Sequence, residues 1–182
     1  QINWFFIFAI SFLCFVGLVM IYSATIGDQS HIFLSHVYKI IFGFIIMIFI
    51  SLFDIDFWKK NAYLLYFLGI ILLFWASFYG YVGKGARRWI NIFGFNFQPS
   101  EIMKIFIILS LAKFFDEKKI QEPRDYLFIF VPIILVVIPF SLILSQPDLG
   151  TAMLILFVSI VIFFIFGINW KFFGVLGVFS LI

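Results

Sequence analysis

The chain has 182 residues, 65% of them hydrophobic and only 12% charged, with a mean hydropathy of +1.20. Soluble domains run near half apolar and about a quarter charged, so a water-soluble fold would have nowhere to put this much apolar surface. The net charge of +3 excludes little by itself, because in a membrane protein the side on which charges lie carries the information.

Apolar runs of about 20 residues, enough to cross a hydrocarbon core of about 30 Å, recur along the sequence. They predict an all-α, polytopic transmembrane helical bundle with six full spans and the start of a seventh. The single cysteine, Cys14, lies in an apolar run and supports neither a disulfide framework nor a cysteine metal site. The first span is predicted over 4–22. A polar segment over 25–36 holds Asp28, His31 and His36, read as a solvated loop with a poor metal pattern. The second span covers 37–53, and its exit over 54–61 reads as a short charged turn with Trp58 at the interface. The third covers 62–79, with Tyr79 and Tyr81 as interfacial aromatics.

A charged, turn-rich island follows over 84–104. Lys84, Arg87 and Arg88 crowd its start beside Trp89, a Gly/Asn/Phe turn region comes next, and Gln98-Pro99-Ser100-Glu101 opens a helix carrying Lys104. This fourth span, 101–115, is short and charged near its start, so that end should be sheltered by protein rather than lipid. Residues 116–125 mix both signs and read as a wet turn. The fifth span, 126–144, holds Pro132 and Pro139 as expected kinks. Gln146-Pro147-Asp148-Leu149-Gly150-Thr151 forms a second polar island before the sixth span, 149–168. Residues 172–182 look like the first half of a seventh. With no initiating Met, the chain reads as the amino-terminal part of a single membrane domain without a separate soluble domain, and no cleavable signal peptide is indicated.

With a cytoplasmic amino terminus, the inner turns hold Lys59, Lys60, Lys113, Lys118, Lys119, Arg124 and Lys171. The outer segments hold Lys39, Lys84, Arg87 and Arg88. The excess falls inside, as the positive-inside bias requires, while the 84–88 cluster lies outside against it.

Lys84, Arg87 and Arg88 offer planar forks and a point charge suited to phosphate oxygens, and Gly83 and Gly85 allow close backbone approach. The competing explanation is anchoring to anionic headgroups. Glu101 and Lys104 share one helix face and can pair, either lining a polar cavity or fixing helix packing. Pro99 suits a first helical turn, with Gln98 or Ser100 as cap. Pro147 likewise fits a first turn, and Asp148 is either a helix-start carboxylate favoured by the dipole or part of a wider polar patch with Gln146 and Thr151. No P-loop, GxSxG or HExxH pattern is present, so soluble-type nucleotide hydrolysis and zinc chemistry have no support.

The two islands, Lys84 to Ile90 with Phe97 to Glu101 and Lys104, and Gln146 to Thr151, together with Tyr22-Ser23-Ala24, resemble the signatures of the SEDS family of shape, elongation, division and sporulation proteins. The match extends over the chain in span order. Ser100 resembles the elongation branch, since the division branch more often has Ala there. The resemblance implies a peptidoglycan glycosyltransferase of about ten spans, each of about 20 residues, in the bacterial cytoplasmic membrane. It would polymerise lipid II on the outer face beside a class B penicillin-binding protein. No nucleic-acid partner is implied; the cofactor is unknown, with a divalent cation the open candidate.

On this resemblance Lys84, Arg87, Arg88 and Trp89 bind or steer pyrophosphate, and Gln98, Ser100, Glu101, Lys104, Gln146, Asp148 and Thr151 line or support a polar cavity. The family's proposed catalytic Asp lies in an outer loop after the seventh span. Asp148 is not given that role, and the chain alone is expected to be inactive. A lipid II flippase and a non-catalytic scaffold are the alternatives.

Overall fold

The computed structural model describes residues 3–25, 30–83, 86–92, 95–117 and 126–167. The chain divides into two units, 1–54 and 55–182. The first holds α1 (Trp4–Ala24) and α2 (Ser30–Ser51). Asn3 caps α1, its Oδ1 accepting from the Phe6 N–H at 3.3 Å, and Thr25 closes the other end by donating its hydroxyl to the Ile21 carbonyl at 2.8 Å. No residue of α1 is buried; Phe5, Phe8, Phe12 and Phe15 are exposed along it. Helices with such apolar exteriors are solvated by lipid, not water.

His31 and His36 lie on α2, not in a loop as expected. Hydropathy marks where a helix meets lipid, but the backbone bonds that define it continue into the interface. The same reason overturns the charged turn at 54–61. Nearly all of it forms the opening turns of α3 (Ile55–Tyr79), with Asp56 in the first turn, where the helix dipole favours a carboxylate.

The second unit is built around α4 (Pro99–Glu117), which packs against α3, α5 (Tyr126–Ser145) and α6 (Leu149–Ile165). Met103, Ile107, Leu111, Phe114 and Phe115 of α4 meet Leu73, Val136, Ile143, Ala152, Ile155 and Phe163 in one core. At the charged start of α4, where shelter by protein is expected, Pro99, Ser100 and Met103 are buried and Glu101 is exposed. Gly69 brings α3 and α4 together: a Cβ there would sit 2.6 Å from Met103 Sδ and 2.9 Å from the Phe106 ring. The opposite end of the α3–α4 pair is tied by charge. Lys59 pairs with Asp116, and Lys113 donates to the Lys60 carbonyl at 3.0 Å while lying 4.7 Å over the Tyr63 ring.

Pro132 and Pro139 lie inside α5. A proline at position 139 removes the N–H that the Leu135 carbonyl would accept, and the Tyr66 hydroxyl of α3 donates to that carbonyl instead, at 3.1 Å.

Between α3 and α4 the chain forms an antiparallel sheet of β1 (Tyr81–Gly83), β2 (Ala86–Ile92) and β3 (Phe95–Phe97), in the order β1-β2-β3. The Gly/Asn/Phe turn region is thus largely strand, a small addition to the expected helical bundle. Asn91 and Asn96 are register partners, and Asn91 Nδ2 donates to Asn96 Oδ1 at 3.1 Å. The seventh span, Lys84, Gly85 and most of the 116–125 segment fall outside the described residues.

Candidate functional site

The 146–148 turn joins α5 to α6 and is buried at both of its polar side chains. Gln146 is 3% exposed. Its Nε2 donates to the Leu73 carbonyl at 2.9 Å and to Ser77 Oγ at 2.8 Å, which pins the turn to the last turns of α3. Asp148 is the N-cap of α6 and accepts from the Thr151 N–H at 3.3 Å, as Asp does at helix starts. Pro147 precedes the cap rather than occupying the first helical turn as expected, because the capping side chain must stand three residues before the N–H it satisfies.

Asp148 is also the meeting point of the two sequence islands. Gln98 Nε2, from the β3–α4 junction, donates to Asp148 Oδ2 at 2.7 Å. Thr151 Oγ1 donates to the same oxygen at 2.9 Å. Arg88 Nη1, from β2, lies 3.4 Å from Asp148 Oδ1. Each carboxylate oxygen therefore faces two donors, which fills the roughly four acceptor sites that a carboxylate has. A carboxylate so occupied has no free lone pair for a substrate proton.

The pairing of β1 with β2 explains how Arg88 gets there. Val82 opposes Arg87 and Tyr81 opposes Trp89, with a register shift between Tyr81 and Val82. Arg88 is the extra residue of a β-bulge, a feature that re-aims a side chain. Its side chain is only 20% exposed, and its Nε is buried without a partner among the described residues. Arg87, one position earlier, is exposed. The compact cationic cluster anticipated from sequence therefore has two differently placed members here, while Lys84 lies outside the described residues. Trp89 is half-buried.

At the start of α4 neither expected side-chain cap operates. Gln98 uses its backbone carbonyl, accepting from the Glu101 N–H at 3.1 Å, because its side chain is committed to Asp148. Ser100 is 1% exposed and its Oγ is buried without a partner among the described residues. Glu101 and Lys104 do pair: Lys104 Nζ donates to both Glu101 carboxylate oxygens at 3.0 Å, with the Glu101 side chain largely exposed. Among the described residues no group of three or more His, Cys, Asp or Glu side chains is placed to hold a metal ion.

Sequence reasoning missed Ser77 and Tyr66, both of which serve backbone or side-chain partners more than 60 residues away. Pro139 was the available signal for the second: a proline inside a lipid-embedded helix frees a carbonyl that must find a donor. Ser77 had no comparable signal.

Comparison with known proteins gives a consistent picture. The model of a family of cell cycle proteins named for FtsW, RodA and SpoVE matches residues 3–182. The peptidoglycan glycosyltransferase RodA of Treponema pallidum is 33% identical over 156 residues, covering 84% of this chain and 36% of the relative. The crystal structure of the rod shape determining protein RodA of Thermus thermophilus superposes with a TM-score of 0.84 at 28% identity, over 98% of this chain and 58% of that one. A chain from a peptidoglycan synthase complex that coordinates polymerization and crosslinking superposes with a TM-score of 0.85 at 26% identity, over 98% and 52%. The chain thus spans less than half the length of the curated relative and somewhat over half of each solved structure.

Proposed function

This chain belongs to the FtsW, RodA and SpoVE family of cell cycle proteins, the SEDS family, and is a multi-pass, membrane-embedded helical protein; from that membership we propose that it serves as a peptidoglycan glycosyltransferase of the RodA type, polymerising lipid II into glycan strands during cell elongation. The observation that carries the proposal is the family match over 3–182 together with 33% identity to a peptidoglycan glycosyltransferase RodA. Ser100 in Gln98-Pro99-Ser100-Glu101 supports the elongation branch over the division branch.

Glycosyl transfer between lipid-linked sugars needs a base for the acceptor hydroxyl and cationic donors for the departing pyrophosphate. The basic island that holds the exposed Arg87 supplies the second requirement. Asp148 does not supply the first, since its oxygens are already engaged by Arg88, Gln98 and Thr151. The Glu101–Lys104 pair at the start of α4 is assigned to the polar lining near the substrate.

The amino terminus is assigned to the cytoplasm and the sheet to the outer face of the bacterial cytoplasmic membrane. Support comes from the basic end of the α3–α4 pair, where Lys59, Lys60 and Lys113 gather, as the positive-inside bias requires of a cytoplasmic end. A class B penicillin-binding protein is proposed as partner, on the likeness to a chain of a peptidoglycan synthase complex.

The test is the full-length protein, purified with its candidate penicillin-binding partner and supplied with labelled lipid II. Glycan strands on a gel are the expected product. A folded complex that makes none, yet moves lipid II across vesicles, would replace the polymerase with a flippase. Restored growth of rod-shaped cells depleted of their elongation enzyme, with no rescue of a division-enzyme depletion, would fix the branch.

A further inference from the structure

We propose that Arg88 and Asp148 form a positioning pair, not an anion-binding site, and that they hold β2 so that Arg87 is the described cation that meets the diphosphate of the lipid substrate. The inference rests on the polymerase reading and divides the labour within its basic island.

Three observations carry it. The bulge between β1 and β2 spends one residue, and that residue is Arg88; its effect is to turn the guanidinium away from the exposed side and toward the start of α6. Once there, Arg88 and Asp148 have side chains only 20% and 10% exposed, with Nη1 and Oδ1 3.4 Å apart and the Arg88 Nε buried. A pair of opposite charges in so dry a place presents little net field to a ligand. An incoming diphosphate at Arg88 would also meet the fixed negative charge of Asp148 at low dielectric.

The same carboxylate takes Gln98 Nε2 at 2.7 Å, so β2 and the β3–α4 junction are both anchored to one atom group at the head of α6. Arg87 remains. Its backbone is fixed opposite Val82, its side chain is exposed, and it makes no ion pair among the described residues. Neutralising Arg88 has a second effect: it lowers the repulsion that two adjacent guanidiniums would otherwise impose on each other.

The sign of one substitution separates this arrangement from its opposite. If Arg88 were the ligand cation, removing the Asp148 charge would free it and tighten anion binding. If Arg88 positions Arg87, the same change loosens the strand and weakens binding, and does so only while Arg87 is present.

The experiment measures binding of undecaprenyl diphosphate to the full-length protein in lipid nanodiscs, with the melting temperature of each variant. Arg87→Gln should weaken binding about tenfold, the scale of one lost charge-assisted hydrogen bond, at unchanged melting temperature. Asp148→Asn keeps the capping oxygen. It should lower the melting temperature and weaken binding by several-fold in the wild-type background, but add little to Arg87→Gln. The exchange Arg88→Asp with Asp148→Arg should recover part of the melting temperature lost in either single variant. Tighter binding by Asp148→Asn, or equal weakening in both backgrounds, would overturn the positioning role. Absence of binding by the wild-type protein would overturn the substrate reading itself, and the role of Arg87 with it.

Discussion

The Tyr66 hydroxyl donates to the Leu135 carbonyl at 3.1 Å, and Pro139, four residues further along α5, is the reason that carbonyl is free to accept. A main-chain oxygen left bare in a lipid-embedded helix has no water to turn to. The tyrosine supplies from a neighbouring helix what the proline removed.

Tyr66→Phe should therefore destabilise the protein by about 1–3 kcal/mol, the cost of leaving a buried acceptor unpaired. In a Pro139→Ala background the carbonyl regains its own N–H, and the same substitution should cost much less. Melting temperatures of the four members of this double-mutant cycle in nanodiscs decide the matter; equal costs in both backgrounds would remove the link between proline and tyrosine.

The turn before α6 makes a similar demand on α3. Gln146 is the only protein group that joins it to both the Leu73 carbonyl and Ser77 Oγ in the described residues. Gln146→Leu should cost about 1–3 kcal/mol by removing two hydrogen bonds of about 0.5–1.5 kcal/mol each, while Ser77 keeps its own bond to the Leu73 carbonyl. Among the described residues its neighbour Ser145 bonds only the Leu142 carbonyl, at an exposed site, so Ser145→Ala should stay within about 0.5 kcal/mol of wild type. Melting of the two variants side by side reads the contrast directly.

Glycines in this chain are not equivalent. At Gly69 an added methyl would lie 2.6 Å from Met103 Sδ and 2.9 Å from the Phe106 ring, and Met103 is fully buried. Gly69→Ala should cost about 1–3 kcal/mol through overpacking of the α3–α4 crossing, and shortening Met103 to Ala should recover part of it. At Gly17 and Gly43 a Cβ meets nothing within 4 Å, so Ala there should be neutral or add up to about 1 kcal/mol of helix propensity.

Glu101 and Lys104 offer a separation of stability from activity. Their pair is three residues apart on α4 with the Glu101 side chain 57% exposed, and such pairs contribute about 0.2–0.5 kcal/mol. Glu101→Gln should barely move the melting temperature. If the pair lines the substrate's polar surroundings, lipid II polymerisation by the full-length protein should fall at least tenfold; full activity would reduce the pair to packing.

Several features were readable from residues alone. Apolar runs of the right length set the number and order of the helices, and island composition marked 84–104 and 146–151 as the places to look. Helix ends were misjudged at α2 and α3, because charge and polarity stop a hydropathy run without stopping a hydrogen-bonded backbone. The strands at 81–97 escaped notice for a different reason. Two of the three are only three residues long, too short for any alternation to register.

What the sequence by itself determined is the solvent of this protein and the identity of its polar residues: so apolar a chain requires lipid, and any charge retained in it must be compensated or used. Which of those fates befalls each charge was decided by the tertiary structure alone. Arg87 and Arg88 are chemically identical neighbours, and only the bulge opposite Tyr81, with Asp148 standing at the head of a helix sixty residues on, buries one and exposes the other. Pairing of that kind depends on the position of distant backbone in space, and no local pattern of residue types encodes it.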